Sequence, residues 1–389
     1  MLAFPEMTPD PLALRKSLES RLPEMLAVLR RFTVAESPST DKFAVERCAR
    51  VIAAAWRRLH ADVSLHPQKH RGPHIRVQWW SGSARPSGRL LVLGHYDTVY
   101  PAGSLRSMPF RVRGNKAYGP GVFDMKAGIV QALFALEALQ RARAALRKRI
   151  VFLWTSDEEI GSETSRRLFE SEAKKSDAVF VLEPSFGPKG LLKTARKGVG
   201  EAELIVRGRA SHAGLAPEEG LNAIHELALQ ISRLSKWNNP RRGITINADV
   251  VEGGSRVNVI ADRARAFLDL RALRISDMRL LEARLRALRP ILPGAKLEVH
   301  GGFNRPPLER KWSAALFLRA KSLAARMNLA LGECTAGGGS DGNLTAALGV
   351  PTLDGLGAVG HGAHSLGEHV LINTMPSRAA LLAALLCSI

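Results

Sequence analysis

Hydrophobic positions in the first half of the chain follow two alternating patterns. Residues 41–60 and 124–145 carry apolar side chains at the spacing of amphipathic helices. Residues 89–99, 149–159 and 178–184 each begin as a continuous apolar run, which is typical of strands buried on both faces. Helices that alternate with such strands predict an α/β fold with a mostly parallel sheet, covered on both sides.

The pattern changes after about residue 190. Residues 193–210 alternate polar and apolar side chains like a half-exposed strand, and the following segments predict the order β-α-β-β-α-β. That order is the split ferredoxin-like motif, an antiparallel sheet with helices on one face. The first pattern then resumes. We therefore predict a large α/β domain formed by residues 1–192 and 303–389, with a small α+β domain inserted at residues 193–302.

Charge adds little to this picture. The chain of 389 residues has 56 Lys and Arg against 36 Asp and Glu, a formal net charge of +20. This charge is compatible with nucleic acid binding, with attraction of acidic substrates, or with an arginine-rich composition alone. The arginines of residues 138–149 and 278–289 alternate with Leu and Ala at helical spacing. We therefore predict solvated helix faces and no specific nucleic acid partner.

Cysteine content and hydropathy indicate the cellular setting. Cys48, Cys334 and Cys387 are widely spaced, which predicts reduced thiols and no disulfide framework. No stretch reaches the roughly 20 apolar residues of a membrane helix, so no membrane partner is predicted. Residues 1–22 lack the layout of a secretion leader, and the expected location is the cytoplasm.

Histidine and acidic residues stand where the predicted strands end. His95 and Asp97 close the first strand two residues apart, so their side chains share a face. A carboxylate in that position can orient an imidazole toward a metal ion. Asp124 follows a Gly-Pro-Gly turn at the start of a predicted helix, where an N-cap is the alternative to metal binding.

Further acids follow the next two strands. Glu158 and Glu159 close the second strand, and neighbours in extended chain point to opposite sides. One of them could then bind a metal ion while the other reaches a water molecule, although a surface turn is an alternative. Glu183 ends the third strand, at the sheet edge where open α/β folds bind ligands.

The last candidate ligand is His364, with His361 and His369 as competitors on either side. Nitrogen and carboxylate ligands without cysteine suit zinc, with cobalt or manganese as substitutes. The five candidates are too many for one catalytic zinc. They suit two ions roughly 3.5–4 Å apart that share a bridging carboxylate.

The chain resembles the dinuclear zinc aminoacylase/carboxypeptidase family, and in particular its glutamate carboxypeptidase branch. The resemblance runs from about residue 40 to the end and rests on an ordered set of motifs: GHYDTV, GPGVFDMKAG, TSDEEIGS, LEP, GRASHAG, GGSRVNVIAD and GGGSDGN. It implies ligands for two zinc ions per chain, which are His95 and Glu183 for one, Glu159 and His364 for the other, and Asp124 as the bridge.

The resemblance also implies catalytic and binding roles outside the ligand set. Asp97 would orient His95, and Glu158 would be the general base that activates the attacking water. From the sequence alone His212 is a structural turn residue, but the matching family histidine reaches across a dimer interface into the partner's active site. A homodimer is therefore implied. The residues implied to contact substrate are Asn258, Arg271, Gly339 and Ser340.

The implied function is that of a zinc-dependent exopeptidase or amidohydrolase that cleaves the amide bond next to a C-terminal amino acid. Its substrate would be a small peptide or an N-acyl amino acid. The large domain would be catalytic, and the inserted domain would act as a lid and in dimerisation. One alternative is an N-acyl-amino-acid or acetylornithine-type deacylase. Another, from a different class, is a non-catalytic binding protein on the same fold.

A nucleotide site is not predicted. Residues 355–360 match the G-x-G-x-x-G fingerprint, but that motif requires a following helix and an acid about 20 residues later. No Asp or Glu follows Glu368 in this chain.

Overall fold

The computed structural model describes residues 9–81 and 85–389. The prediction that no leader is present concerns residues 1–22, of which residues 1–8 lie outside the described part. Within the described ranges, no α-helix has the length and hydropathy of a membrane span.

The described residues form ten α-helices and sixteen strands. The helices are α1 Pro11–Glu19, α2 Leu22–Val34, α3 Lys42–Arg57, α4 Ala127–Arg141, α5 Arg166–Lys174, α6 Ala223–Ser235, α7 Ile275–Arg286, α8 Ala314–Arg326, α9 Asp341–Ala347 and α10 Met375–Ser388. The strands are β1 Asp62–His66, β2 His74–Trp79, β3 Arg89–His95, β4 Arg111–Arg113, β5 Lys116–Tyr118, β6 Arg149–Thr155, β7 Ala178–Val181, β8 Leu192–Arg196, β9 Gly198–Arg207, β10 Thr245–Gly253, β11 Arg263–Ala272, β12 Lys296–Arg305, β13 Glu333–Ala336, β14 Thr352–Leu353, β15 Gly360–His361 and β16 His369–Leu371.

The chain divides into two compact units. The first contains the described residues up to Thr194, together with residues 310–335 and 340–389. The second contains residues 195–309 and 336–339.

A six-stranded sheet forms the centre of the first unit, with the strand order β1-β2-β6-β3-β7-β14. The pairs β6–β3, β3–β7 and β7–β14 are parallel, whereas β1 and β2 pair in antiparallel fashion at one side. The parallel pairs bring the carboxyl ends of β3, β6 and β7 to one edge, because His95 lies opposite Thr155 and Leu93 lies opposite Val181.

Both faces of this sheet are buried, which explains the continuous apolar runs. In β3, Leu90 and Val92 belong to the core formed with α3, α4 and α10, whereas Leu91 and Leu93 belong to the core formed with α5 and α9. Burial of one such side chain stabilises a fold by roughly 1.5–3 kcal/mol. The stabilisation from these apolar side chains can therefore offset the free-energy cost of burying polar groups at the edge of the sheet.

The second unit is a four-stranded antiparallel sheet with the order β10-β11-β9-β12. Leu227 of α6 and Leu281 of α7 share a core with Leu204 and Leu268 of the sheet. Strand order and connections match the predicted β-α-β-β-α-β motif. Together with the mostly parallel sheet of the first unit, this confirms the predicted fold class.

One predicted strand is wrong. Residues 193–210 form two strands, β8 and β9, that separate at Lys197. β8 pairs with β13, whereas β9 pairs with β11 and β12. The alternation of polar and apolar residues continues across this break, so it could not reveal that the strand partner changes.

Candidate metal centre

His95 is the last residue of β3, and its side chain is 1% exposed. Nδ1 lies 3.1 Å from the main-chain oxygen of Asp97 and 3.4 Å from its Oδ1. Nε2 lies 3.2 Å from Oδ1 of Asp124 and 3.4 Å from Oε1 of Glu183, which follows β7. Asp97 thus contacts one ring nitrogen while two carboxylates face the other.

Asp124 lies in the turn Val122–Lys126, where its backbone angles are non-helical. Helix α4 begins only at Ala127, and its N-cap is Lys126, so the N-cap alternative for Asp124 is wrong. Its two oxygens instead face different histidines. Oδ1 is 3.2 Å from Nε2 of His95, and Oδ2 is 3.6 Å from Nε2 of His364.

Glu158 and Glu159 do not continue a strand, and the prediction that they point to opposite sides of extended chain is wrong. β6 ends at Thr155, and residues Glu158–Ile160 form a 3-10 turn. Asp97 stabilises this turn, because its Oδ1 accepts from the amide of Glu158 at 3.3 Å and its Oδ2 from that of Glu159 at 3.2 Å. Each of the two glutamates offers an oxygen within 4.8 Å of a ring nitrogen of His95.

Ligand atoms of these side chains form two overlapping groups. The atoms of His95, Glu158 and Glu183 lie within 4.8 Å of one another, and so do those of His95, Asp124 and Glu159. Glu158 was predicted as a general base, and this grouping places it near the predicted ligands.

His364 lies between β15 and β16, and its side chain is 51% exposed. Its Nε2 is 3.2 Å from Oε2 of Glu159. The competing rings of His361 and His369 lie beside each other, with centroids 6.4 Å apart and planes tilted by 37°, and His369 also contacts Tyr118. Of the three histidines, the structure brings His364 to the carboxylates.

The two imidazoles are strongly basic in this setting. Burial opposes protonation of His95, but hydrogen bonds with Asp124, Asp97 and Glu183 outweigh burial and hold its pKa well above the ordinary value. Hydrogen bonds with Asp124 and Glu159 raise the pKa of His364 to about 10. The cluster therefore favours positive charge at both ring positions.

The pKa values of two carboxyl groups in the cluster are shifted in opposite directions. Burial would raise the pKa of Asp124, yet hydrogen bonds from His364 and His95 lower it overall. Burial raises the pKa of Glu159 despite its contact with His364. Crowded, buried carboxylates of this kind are costly unless cations compensate them.

The donor atoms have the spacing and chemistry of metal ligands. Two ligands that one zinc ion holds at tetrahedral angles lie about 3.3–3.6 Å apart, given zinc–ligand distances of about 2.0–2.2 Å. The nitrogen–oxygen distances of His95 and His364 to the facing carboxylates are 3.2 to 3.6 Å. Because the donors are imidazole nitrogens and carboxylate oxygens without sulfur, these residues fit zinc or a similar divalent ion.

His212 lies in the second unit on an exposed segment. Its Nδ1 accepts hydrogen bonds from the amides of Gly214 and Leu215, at 3.2 and 3.1 Å. The neutral ring must therefore carry its proton on Nε2. The amide of Ala213 donates to the main-chain oxygen of Asn258 at 2.9 Å, so the predicted residues His212 and Asn258 lie on adjacent segments.

Arg271, on β11, is held by a neighbour. Its Nε and Nη2 bind both carboxylate oxygens of Asp269 at 2.7 to 3.0 Å.

Gly339 was also predicted to contact substrate. Its main-chain oxygen accepts from Nη1 of Arg196 at 3.2 Å, and both residues belong to the second unit.

Ser340 was predicted to contact substrate, and in the structure its side chain contacts other protein groups. The residue is fully buried, and its Oγ donates to Oδ2 of Asp354 at 2.5 Å. The same oxygen accepts from the amide of Gly342 in a capping box with Asn343 at the start of α9. The sequence Ser-Asp-Gly-Asn carried this signal, since Ser is a preferred N-cap.

Glu368 is a buried residue for which the sequence predicted no role in the site. Its carboxylate accepts from the amides of Gly121, Phe123 and Asp124 at 2.8 to 3.2 Å. Its position four residues after His364 was the only signal in the sequence.

A cluster of imidazoles and carboxylates at the carboxyl edge of a mostly parallel, doubly covered sheet defines a metal-dependent hydrolase. The sequence pattern of Peptidase family M20/M25/M40 matches residues 91–388. The chain belongs to this family. The predicted family and the predicted enzyme class, a hydrolase of amide bonds, are confirmed.

Relatives in sequence include two kinds of enzyme. Carboxypeptidase G2 of Pseudomonas sp. (strain RS-16) is 34% identical over 309 residues, which cover 78% of this chain and 74% of the relative. Succinyl-diaminopimelate desuccinylase of Paraburkholderia xenovorans (strain LB400) is 29% identical over 311 residues, which cover 73% and 79%.

Solved structures share the fold at low identity. Aminopeptidase PepT from Bacillus cereus ATCC 10987 superposes with a TM-score of 0.79 at 21% identity, covering 95% of this chain and 98% of that one. The Bacillus subtilis YXEP protein, described as a dinuclear metal binding peptidase from the M20 family, gives a TM-score of 0.71 at 16% identity, covering 96% and 98%.

Proposed function

We propose that this protein is a dinuclear zinc hydrolase that releases the C-terminal amino acid from a small peptide or N-acyl amino acid. The observation that supports it is the position of Asp124, whose two oxygens face two histidines. Each histidine has its own second carboxylate, Glu183 for His95 and Glu159 for His364. This is the donor arrangement of two ions that share a bridging carboxylate.

In this proposal His95 and Glu183 would hold one zinc ion, Glu159 and His364 would hold the other, and Asp124 would be shared by both. Cobalt or manganese would substitute, because the same nitrogen and oxygen donors accept them. When bound, the ions supply Lewis acidity and lower the pKa of water toward neutrality.

Glu158 acts as the general base in this proposal. It takes a proton from the attacking water and returns it to the leaving nitrogen, a role that requires hydrogen-bond reach in the substrate complex. Asp97 binds the main-chain amides of both Glu158 and Glu159, so the same turn positions the proposed base and a proposed ligand. His212 donates from Nε2 to the developing oxyanion in the active site of a partner copy.

Arg271 and Asn258 bind the substrate's polar groups in this proposal. Asp269 occupies Nε and Nη2 of Arg271 and thereby orients the guanidinium. Because a guanidinium has five N–H donors, Nη1 and the second hydrogen of Nη2 remain for a substrate carboxylate. We also propose that the large unit is catalytic and that the inserted unit serves as lid and dimerisation domain.

A deacylase is the second candidate. The desuccinylase relatives favour it, because their names describe removal of an acyl group from an amino acid. The higher identity of carboxypeptidase G2, 34% against 29%, favours the exopeptidase.

The test supplies metal-free protein with zinc or cobalt and offers a matched substrate panel. N-acyl amino acids and dipeptides that differ in the C-terminal residue would be compared with the same compounds carrying a C-terminal amide. We expect hydrolysis of the free acids and a large loss with the amides. Hydrolysis confined to N-succinyl substrates would support the deacylase, and binding without turnover of any compound would support a non-catalytic protein.

A further inference from the structure

Glu368 directly precedes β16 and is fully buried. Its Oε1 accepts from the amide of Phe123 at 2.8 Å and from that of Asp124 at 3.0 Å. Its Oε2 accepts from the amide of Gly121 at 3.2 Å. One carboxylate therefore holds three amides of the turn that carries Asp124.

The same stretch of chain holds Asp124 at a second point. His364, four residues earlier, lies 3.6 Å from Oδ2 of Asp124. The segment from His364 to Glu368 thus contacts Asp124 through its side chain and through its main-chain amide.

Tyr100 supports this segment from another part of the chain. Its hydroxyl donates to the main-chain oxygen of Ser365 at 3.0 Å, and it lies close enough to Glu368 to lower the pKa of that carboxyl. β16 is further anchored through pairing with β5, where His369 lies opposite Tyr118. Glu368 therefore belongs to a held segment and is not a mobile side chain.

Burial raises the pKa of Glu368, while the Tyr100 hydroxyl and the amides of Asp124 and Phe123 favour its ionised form. The three amides that Glu368 binds belong to one turn, so its carboxylate cannot move without releasing that turn. The carboxylate itself contacts the amide of Asp124 rather than either histidine of the cluster.

We propose that Glu368 is a positioning residue, which holds Asp124 so that its two oxygens face His95 and His364. The proposal rests on the proposed function, since it assumes that Asp124 bridges two ions. It differs from a purely structural role in one consequence. Loss of Glu368 should weaken the binding of the two metal ions more than it weakens the fold.

The experiment compares Glu368→Gln with the wild-type chain and with Glu226→Gln. Glu226 is a matched control, because it is also a fully buried glutamate and accepts from the amides of Ile291 and Leu292 in the second unit. Each protein would be dialysed against buffered zinc, and bound metal measured by mass spectrometry. Cobalt absorption spectra and melting of the metal-free protein complete the comparison.

We expect Glu368→Gln to bind zinc about 10–100-fold more weakly and to shift the cobalt spectrum. Such a loss is typical when a residue that hydrogen-bonds to a metal ligand is changed. Glu226→Gln should lower the melting temperature and retain both ions. If Glu368→Gln melts lower but keeps two ions with wild-type affinity and spectrum, the positioning role is refuted. If the wild-type chain itself does not bind two metal ions, the proposed function fails instead.

Should Glu368→Gln not fold, Tyr100→Phe provides the same test with a smaller change. It removes the hydroxyl from Glu368 and Ser365 and leaves the ring in place. We expect zinc binding to weaken several-fold, and unchanged zinc affinity would contradict the proposal.

Discussion

Single side chains in the cluster serve several neighbours at once. Asp97 contacts Nδ1 of His95, accepts from the amides of Glu158 and Glu159, and accepts from Oγ of Ser39 at 2.7 Å. An ionised carboxylate offers about four acceptor positions, which makes such sharing possible. A substitution of one acid therefore disturbs more than one contact.

Glu158→Gln tests the assignment of the general base. The amide cannot take a proton, so hydrolysis should fall by about 10³-fold or more, while zinc content stays at the wild-type level because the proposed ligands are intact. Turnover would be measured alongside bound metal. Near-normal turnover would end the assignment, and loss of zinc would make Glu158 a ligand.

Metal binding should release protons. The raised pKa of His95 and the pKa of about 10 for His364 keep both rings protonated at pH 7 in the metal-free protein. Because only neutral imidazole binds metal, zinc should displace about two protons per chain. Apparent affinity should therefore increase with pH toward about 10.

Calorimetric titration in buffers of different ionisation enthalpy measures this release. His364→Ala should release about one proton fewer than the wild-type chain. Binding heats that do not depend on the buffer would contradict the described basicity of the two rings.

At the scale of elements, Asp97 joins the end of β3 to the 3-10 turn after β6. Asp97→Asn places an amide group where two main-chain amides need acceptors. We expect zinc affinity to fall about 10–100-fold, as is typical when a partner of a ligating histidine is changed. Equilibrium dialysis and thermal melting would be measured together.

Glu172→Gln is the control for this change. Glu172 is a buried acid that pairs with Arg76 on β2 and with Arg89 at the amino end of β3, opposite the cluster. It should lower stability and leave zinc affinity unchanged. Equal effects of both variants on zinc would show that Asp97 acts only through the fold.

The hydrophobic pattern predicted β3, β6 and β7, because strands covered on both faces must be apolar at every position. The acids and histidines that interrupt these runs then marked the edge where the strands end. This part of the cluster followed from the strand ends alone, since parallel strands bring their carboxyl ends together.

Contacts between distant residues account for what the pattern missed. The turn at Glu158 depends on Asp97, 61 residues earlier, and the turn at Asp124 depends on Glu368, 244 residues later. The local spacing of hydrophobic residues does not reveal contacts between residues so far apart in the sequence. The capping role of Ser340 was local and could have been predicted from the residues that follow it.

At the scale of the whole molecule, the resemblance implies that His212 acts in the active site of a partner copy. Mixing two inactive variants tests this. A hybrid dimer of His212→Ala and Glu158→Gln would contain one intact site, which combines Glu158 of one chain with His212 of the other.

Co-expression of the two variants should restore about a quarter of wild-type activity, since half of randomly formed C2 dimers are hybrids with one site intact. Each variant alone is the control. If the mixture stays as inactive as its components although hybrid dimers are isolated, His212 has no role across an interface.

The spread of the candidate ligands along the chain has a consequence for biosynthesis. His95, Asp124, Glu159 and Glu183 emerge early from the ribosome, whereas His364 and Glu368 emerge late. On the proposed assignment, a nascent chain that ends before residue 364 lacks one imidazole and the support of the bridging acid. Hydrolytic competence would then arise only once translation has passed this point, so unfinished chains would not cleave cellular peptides.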